Sequence, residues 1–395
     1  MLNTTLPPWP NFSSKEARAV ADVIASNRVN YWTGDECRNF EAEFKAWCGS
    51  KKAIALSNGT VALDVALKAV NVGPGDEVIV TPRTFIASIS CVVTAGATPV
   101  FVDVDLDSGN ISPATIAAKI TPKTKAIIPV HLAGWPCDMD GILELASPRD
   151  IKVIEDCAQA HGARIGDRSV GTIGDIGAWS FCQDKIMTTG GEGGMVTTND
   201  HDLWSTMWSY KDHGKSWDAV YNKQHPPGYR WLHESFGTNW RMLEVQAVLG
   251  RLQLKEMPGW TSRRTFIAHQ IISVLTDFSD IIRVPQPSID LTHAYYRLYA
   301  YIRPEALPPG WTRDRIVAEC TERGAPVFQG SCSEVYLEKA FDGSGFRPEI
   351  RLPNAKSLGE NSLMFLTHPN ITDKQILRFN NILASVLRDA SNFRS

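Results

Sequence analysis

The sequence predicts an α/β protein in which a large domain, built on a mostly parallel mixed sheet flanked by helices, precedes a smaller C-terminal α+β domain. From Lys52 to Thr198, short apolar runs typical of buried strands alternate with amphipathic helical segments. Successive β–α units of this kind form a parallel sheet with right-handed crossovers. Beyond Met257 the alternation ends, and long helices surround one alternating segment, YYRLYAYIR. We therefore place the large domain, with its N-terminal segment, at residues 1–250 and the small domain at residues 251–395.

The composition excludes several classes of protein. The 395 residues carry 40 basic and 43 acidic side chains, so there is no basic surplus for binding nucleic acid. No apolar run approaches the roughly 20 residues of a membrane helix, and the start, MLNTTLPPWPNF, lacks the features of a signal peptide. The eight cysteines form no CxxC and the nine histidines form no HxxxH. We expect a cytoplasmic protein with buried thiols rather than disulfides, and with no metal, membrane or nucleic-acid partner.

Two helices are predicted before the sheet. The first is SSKEARAVADVIASN, capped by Ser13 or Ser14 and carrying Glu16 in its first turn. The loop NYWTGDE follows, and the second helix, ECRNFEAEFKAWC, ends at Gly49. We expect the two aromatic residues of that loop to pack against the large domain.

The first β–α unit places Gly59 and Thr60 at the start of a helix. The strand AIAL is followed by the turn SNGT and the amphipathic helix VALDVALKAVNV. Free backbone N–H groups and the positive end of the helix dipole favour a phosphate at such a point. The alternative is an ordinary structural turn, with glycine for a positive φ and Thr60 as the N-cap.

Phe85 stands in a similar position one unit later. It follows the strand GDEVIVTP and opens the helix TFIASISCVVTAG. An aromatic side chain there could stack on a cofactor ring, although burial in the core is the commoner fate of a phenylalanine. The strands ATPVFVDVD and TKAIIPVHLAG and the helix CDMDGILELASP, with Asp138 near its start, complete the run of β–α units.

The stretch from Ile151 to Thr198 contains the main catalytic candidates. The apolar run IKVI delivers Asp156 to the carboxyl end of a strand, where ligands bind in open α/β sheets. A second strand, IGAWSFC, is followed by Lys185 and by the glycine-rich turn GGEGG. An acid and a lysine at two such strand ends suit pyridoxal phosphate (PLP), whose aldehyde would join the lysine and whose ring nitrogen would pair with the carboxylate. Taken singly, the lysine could be a solvated loop residue and the aspartate a helix cap.

Two phosphate-binding fingerprints are excluded by single positions. Near GGEGG, the pattern G-x-G-x-x-G would need glycine where Val196 stands. Around the sequence GKS, a Walker loop would need glycine where Ser209 stands. The sequence therefore predicts neither a dinucleotide nor a nucleoside-triphosphate site.

The rest of the chain contains one long excursion and the small domain. Residues 199–236 are polar and aromatic, as functional excursions often are. An amphipathic helix, TNWRMLEVQAVLGRLQLKEM, follows, with Asn239 and Arg241 at its start. The small domain is predicted to contain further helices at TSRRTFIAHQIISVLTDF, DRIVAECTERG and TDKQILRFNNILASVLRDA, whereas residues 327–350 show no clear pattern.

The chain resembles the DegT/DnrJ/EryC1/StrS aminotransferases, which are sugar aminotransferases of the fold-type I class of PLP enzymes. The most specific match is EDxAQAxGA followed by SF…K…TTG.EGG. The other matching stretches, in the family's order, are ALSNGTVALDVAL, GPGDEVIVTPRTFIAS, GATPVFVDVD, IIPVHLAGWPCDMDGI, FGTNWRMLEVQAVLGRLQL and FLTHPNIT. The turn TTGGEGG carries one glycine more than the usual TTGEGG. Dehydratase members of the family have histidine in place of the lysine, so Lys185 favours transamination.

The resemblance implies individual roles around PLP. Lys185 would form the Schiff base and later move a proton, and Asp156 would keep the ring nitrogen protonated. Gln159 matches the residue beside the phenolic oxygen of the cofactor, and Phe85 matches the aromatic side chain stacked on its ring.

The resemblance also implies how the phosphate is bound and how subunits associate. Gly59, Thr60 and Ser180 match the phosphate cradle. Asn239 matches a residue that reaches the phosphate from the neighbouring subunit, which implies a homodimer with shared active sites.

By the same resemblance, the expected reaction moves an amino group from L-glutamate to a keto group of a nucleotide-linked sugar, such as a UDP- or dTDP-linked hexose. The setting would be the synthesis of amino sugars for surface polysaccharides. The alternatives are a cyclitol or aromatic-precursor aminotransferase of the same family, and a noncatalytic regulator on the same scaffold. Substrate preference would depend on residues 1–35, 210–236 and 325–340.

Overall fold

The fold, described over residues 5–391 in a computed structural model, contains one large sheet and two small ones. In chain order the strands are β1 (Lys52–Leu56), β2 (Glu77–Val80), β3 (Thr98–Phe101), β4 (Thr124–Ile128), β5 (Lys152–Asp156), β6 (Arg164–Ile165), β7 (Arg168–Ser169), β8 (Ile176–Ser180), β9 (Gly194–Thr198), β10 (Ile282–Arg283), β11 (Leu291–Thr292), β12 (Arg297–Ile302) and β13 (Ser362–Leu366). The helices are α1 (Ser14–Ala25), α2 (Glu36–Cys48), α3 (Gly59–Ala69), α4 (Ala87–Thr94), α5 (Pro113–Ala117), α6 (Met139–Ala146), α7 (His201–Tyr210), α8 (Trp217–Tyr221), α9 (Glu244–Thr276), α10 (Arg313–Glu322), α11 (Pro353–Asn361) and α12 (Asp373–Ser391).

The large sheet has seven strands in the order β1-β9-β8-β5-β4-β2-β3. The pairs β5–β8, β4–β5, β2–β4 and β2–β3 are parallel, and only β9 runs against its neighbours, β1 and β8. The sheet is therefore mostly parallel and mixed, as the sequence predicts. The carboxyl ends of β1, β2, β5 and β8 consequently meet at one edge.

Helices cover both faces of this sheet, which explains why apolar residues on both faces of its strands are buried. In β1, Ile54 and Leu56 face a core formed with α3, α4 and α7, whereas Ala53 and Ala55 face a core formed with α2 and the first half of α9. The same alternation recurs in β2, so both layers are packed against the sheet.

The N-terminal caps agree with the local sequence. Ser13 caps α1 and forms a capping box with Glu16, as one of the two predicted alternatives requires. Asn58, rather than Thr60, caps α3 by accepting a hydrogen bond from the Val61 N–H. Asp138 caps α6 in the same manner.

The second unit is built on the antiparallel sheet β10-β12-β13. The second half of α9, together with α10 and α12, packs on it around a core that includes Ile271, Phe365 and Leu383. The predicted strand YYRLYAYIR and the last two predicted helices are present. Residues 327–350, which showed no pattern, contain two single 3-10 turns and an isolated bridge from Phe328 to Met364 of β13.

Two predicted segments differ in extent from the structure. The helix predicted from Thr238 begins six residues later, and it continues through Pro258 into the next predicted helix, so that α9 is a single helix of 33 residues. The excursion 199–236 contains α7 and α8. Residues 250 and 251 both lie inside α9, and the division of the chain at that point stays a prediction. Each helix within residues 5–391 is too short or too polar to span a membrane.

Candidate active site

A cavity of about 1010 Å³ lies at the carboxyl edge of the large sheet. Its lining includes seven of the eight residues predicted for the site: Gly59, Thr60, Phe85, Asp156, Gln159, Ser180 and Lys185. The second unit closes the opposite side with residues such as Tyr296, Arg297, Cys332 and Met364. The structure therefore brings together predicted residues that lie up to 126 positions apart in the sequence, from Gly59 to Lys185 (185 − 59).

The start of α3 forms one end of the cavity. The first N–H groups of a helix have no partner within the helix, and here they belong to Gly59 and its neighbours at the sheet edge. A Cβ atom on Gly59 would lie 2.6 Å from the Cβ of Ser180, so only glycine permits this approach of helix and strand. The Ser180 hydroxyl thus stands beside a helix N-terminus, which is a suitable arrangement for a phosphate.

Asp156 is the last residue of β5, and only 5% of its surface is exposed. One carboxylate oxygen accepts a hydrogen bond from the Ser88 hydroxyl at 2.8 Å, and the other accepts from the Ala158 N–H at 3.0 Å. The backbone carbonyl of Asp156 accepts from the His131 N–H. These contacts fix the carboxylate at the cavity wall, ready to pair with one cationic group.

The amide of Gln159 has a defined orientation. Its oxygen accepts a hydrogen bond from the Ala133 N–H at 2.8 Å. Because a backbone N–H can only donate, the Gln159 oxygen must point to it, and the amide NH2 group is left to donate elsewhere. Ala133 itself has a φ of 56°, so this contact depends on an uncommon backbone conformation.

Lys185 lies in the loop between β8 and β9, and its Nζ is 5.3 Å from the centroid of the Tyr296 ring. The Tyr296 hydroxyl donates to Asp184 at 2.5 Å, and Arg297 Nη2 is 3.4 Å from the same oxygen. Partial desolvation raises the pKa of Asp184, but the charge of Lys185 and the hydrogen bond from Tyr296 outweigh it, so this pKa is lowered. Burial raises the pKa of Tyr296, which keeps the phenol protonated.

Phe85 is 69% exposed and lies just before α4, on the cavity wall. It is therefore not a core residue, which was the alternative left by the sequence. An exposed aromatic side chain at the mouth of a concave site presents a flat apolar face to a ligand.

Asn239 is the one predicted residue outside the cavity lining. It is exposed, and it pairs through its backbone with Asp212 in an isolated bridge. Nearby Arg241 forms an ion pair of 2.7 Å with Asp212. The assignment of Asn239 to a neighbouring subunit's site stays a prediction.

The glycine-rich turn after Lys185 has a backbone that other residues rarely adopt. Gly190 and Gly191 have φ values of 87° and 122°. The additional glycine in TTGGEGG leaves Lys185 at the cavity wall.

Three buried groups, His131, Glu155 and Cys157, have donor atoms within 4.8 Å of one another. The Glu155 carboxylate already accepts hydrogen bonds from the N–H groups of Gly171, Ile173 and Gly174 and contacts His131 Nε2 at 3.0 Å. Burial also raises the pKa of the Cys157 thiol, whereas a metal ligand would be a thiolate. The cluster is explained as a hydrogen-bond network that supports the end of β5.

Sequence reasoning did not identify four residues that complete the site. Ser88 holds Asp156, and Ala133 orients Gln159. The Tyr296 ring faces Lys185, and Tyr296 and Arg297 both contact the neighbouring Asp184. The hydrogen-bonded partners are between 26 and 113 residues apart, so only the fold brings them together. The strand YYRLYAYIR was predicted, but alternation alone does not indicate which side chain reaches the cavity.

These residues fit PLP. A buried carboxylate suits a protonated ring nitrogen, a lysine suits the aldehyde, and a helix start that tolerates only glycine beside a serine suits the phosphate. The fold and the site together define a PLP-dependent enzyme of the fold-type I class.

Comparison with known proteins agrees with that class. The model of the DegT/DnrJ/EryC1/StrS aminotransferase family matches residues 10–384. An aminotransferase of Psychrobacter cryohalolentis, solved by X-ray crystallography, has 62% identity and a TM-score of 0.97 over 98% of this chain and 100% of that chain. The GDP-perosamine synthase of Caulobacter vibrioides is 38% identical over 354 residues, which are 88% of this chain and 89% of the relative.

A third relative, the dTDP-3-amino-3,4,6-trideoxy-alpha-D-glucose transaminase of Streptomyces venezuelae, is 35% identical over 361 residues, 91% of this chain and 89% of its own. The chain belongs to the DegT/DnrJ/EryC1/StrS aminotransferase family. It is a PLP-dependent transaminase, which confirms the predicted family, fold class, cofactor and kind of enzyme.

Proposed function

We propose that this chain transfers an amino group from L-glutamate to a keto group of a nucleotide-linked hexose. The observation that carries the proposal is the single cavity shared by Lys185, Asp156 and the start of α3. Its volume of about 1010 Å³ suits a cofactor together with a large substrate, since ligand sites usually measure about 300–1,000 Å³. The named relatives act on dTDP- and GDP-linked sugars, which supports the class of acceptor.

Each residue of the cavity would have a definite task. PLP, when bound, supplies an electron sink for the charge that develops when a C–H bond breaks. Lys185 Nζ would hold the cofactor aldehyde carbon and then carry the proton between the two reacting carbons, acting as both base and acid. Asp156 would hold a proton at the ring nitrogen.

The remaining groups would position the cofactor. The Gln159 NH2 group would donate to the phenolic oxygen, and Phe85 would cover the ring. The N–H groups at Gly59 and Thr60, with the Ser180 hydroxyl, would bind the phosphate.

The first test is the visible absorption of the purified protein, before and after addition of L-glutamate. We expect the wild-type protein to be coloured and its band to shift with glutamate, because the amino group moves to the cofactor. Lys185→Ala should bind PLP without forming its own covalent link. Lys152→Ala is a matched control, since Lys152 forms an ion pair with Asp150 at the amino end of β5 and does not line the cavity. An unchanged wild-type band with glutamate would refute L-glutamate as the amino donor.

The acceptor is tested by the second half of the reaction. Keto compounds linked to UDP, dTDP or GDP are compared with unlinked keto sugars, cyclitols and aromatic precursors. We expect turnover only with a nucleotide-linked hexose. Preferential turnover of an unlinked compound would contradict this acceptor and would support the cyclitol or aromatic alternative.

A further inference from the structure

The backbone of Lys185 is held by a residue far away in the sequence. The indole N–H of Trp9 donates to the Lys185 carbonyl oxygen at 2.7 Å. We call residues 181–191, which make up most of the connection between β8 and β9, the lysine loop. Within this loop the Lys185 N–H donates to the Cys182 carbonyl, so Trp9 supplies an external contact at the residue that reacts.

Trp9 is itself fixed by rigid elements. Its ring packs edge-on against Trp260 of α9, with centroids 5.0 Å apart, and stacks on His368 at 6.1 Å. The guanidinium carbon of Arg264, a fully buried residue of α9, lies 5.1 Å from the ring centroid. An indole face over a buried cation is a favourable contact, which limits the movement of the ring.

The segment that carries Trp9 is anchored on the N-terminal side of the indole. The Thr5 hydroxyl donates to the Gly324 carbonyl, and the Asn370 amide donates to the Pro8 carbonyl at 2.8 Å. We call residues 5–16 the N-terminal strap.

A second attachment joins the strap to the lysine loop beyond Lys185. Glu16 accepts a hydrogen bond from the Gln253 amide at 3.1 Å, and the Gln253 oxygen accepts from the Thr188 N–H at 2.8 Å. Gln253 is only 3% exposed. The strap therefore contacts the loop directly at Lys185 and, through Gln253, at Thr188.

We propose that the N-terminal strap sets the position of the lysine loop and that Trp9 is a positioning residue for Lys185. A lysine side chain has four rotatable bonds, so its Nζ can be directed only if its backbone is fixed. Proton transfer requires the donor and acceptor to lie within hydrogen-bond distance, and small displacements slow it strongly. The strap would thus improve the alignment of Nζ without touching a substrate. The inference depends on Lys185 being the reacting group of the proposed function.

The test compares Trp9→Phe with the wild-type holoenzyme. Phenylalanine keeps an aromatic ring between Trp260 and Arg264 but removes the N–H donor. We expect backbone hydrogen exchange in residues 181–191 to rise at least about threefold, since a lost hydrogen bond favours local opening. We expect the maximal rate of the half-reaction with the amino donor to fall about tenfold. The donor concentration that gives half of this rate should change little, because alignment rather than binding is affected.

Trp311→Phe is the matched control. Trp311 is a buried tryptophan of the second unit that packs in its core beside Arg315. The same loss of ring area there should leave exchange in the lysine loop unchanged. Gln253→Met should raise exchange mainly at residues 188–191, where its amide contacts the loop.

If hydrogen exchange in the lysine loop of Trp9→Phe equals that of the wild-type protein, the proposal is overturned, whatever the substrate is. A rise spread evenly over the chain, as general destabilisation would give, would also overturn it. Exchange is measured without substrate, so the outcome is independent of whether glutamate is the donor.

Discussion

Asp156 places one buried carboxylate at the wall of the cavity. Its carboxylate accepts hydrogen bonds from a hydroxyl and a backbone N–H, and neither donor carries a charge. The negative charge is therefore available to a cation in the cavity, and PLP offers one at its ring nitrogen. At this scale we expect many groups to bind the cofactor, but a single carboxylate to control its reactivity.

Replacing Asp156 with asparagine should separate these two properties. Asparagine has nearly the same size but carries no charge. Its amide oxygen can still accept from the Ala158 N–H, and its NH2 group can donate to the Ser88 hydroxyl oxygen. We expect turnover to fall at least about 100-fold, as removal of one preorganised electrostatic group often does, while most of the PLP is retained. The rate of the half-reaction with the amino donor measures the loss of activity. The ratio of cofactor absorbance to protein absorbance measures how much PLP is retained.

Asp138→Asn is the control for that substitution. Asp138 caps α6 at the surface, and asparagine caps helices equally well. Its turnover should equal that of the wild-type protein. Near-normal turnover of Asp156→Asn would show that the carboxylate does not tune the cofactor.

The sequence predicted Asp156 and Lys185 because each follows a strand in a local pattern. It could not predict their supports. Ser88 is 68 residues from Asp156, and Tyr296 is 112 residues from Asp184, so these pairs exist only after the sheet has formed and the second unit has packed. Contacts between distant segments leave no periodicity in the sequence.

At the scale of elements, α3 would link stability with phosphate binding. Asn58 caps the helix and also lines the cavity. We therefore expect the same side chain to influence both the helix start and the electric field at the proposed phosphate site.

Two substitutions of Asn58 should separate these effects. Asn58→Ala removes the cap and should destabilise the protein by about 1 kcal/mol. Asn58→Asp keeps the cap, so stability should be near that of the wild type, but its charge should repel the phosphate and weaken PLP binding at least about tenfold. Thermal unfolding of the cofactor-free protein and PLP titration measure the two effects. Equal PLP affinity of Asn58→Asp and the wild type would place the phosphate elsewhere.

Helix α9 shows where element prediction failed. The sequence around Pro258 predicted two helices, because a proline inside a helix removes one hydrogen bond and crowds the preceding turn. Packing compensates for this loss. Ala247 and Met257 are buried in one core and Ile267 and Ile271 in another, so both halves are held in line. Tertiary contacts of this kind override local preference and are not visible in a short window of sequence.

At the scale of the molecule, the proposed homodimer would share its active sites. We infer this from Asn239, which is exposed and lies outside the cavity of its own chain. If Asn239 serves a neighbouring chain, one site contains Lys185 from one subunit and Asn239 from the other.

Subunit mixing tests this arrangement. We expect Lys185→Ala to be inactive and Asn239→Ala to bind PLP weakly and turn over slowly. A mixed dimer of the two variants would contain one site with both native residues, so its activity should return to about half of the wild-type value, because native residues complete one of two sites. A mixture of Lys185→Ala with Asp156→Asn is the control. These residues line the cavity of one chain, so no site becomes whole. Absence of recovery in the first mixture would refute a shared site.

The distribution of cysteines gives this enzyme a chemical label for its own cavity. Six of the eight thiols are buried, whereas Cys182 is half-buried and Cys332 is exposed, and these two line the cavity. We therefore expect an alkylating reagent added to the folded protein to react at these two thiols, inside the proposed active site. Protection of these thiols from alkylation would then report whether a ligand occupies the cavity. Oxidation of the protein during storage would be expected to begin at the same two thiols.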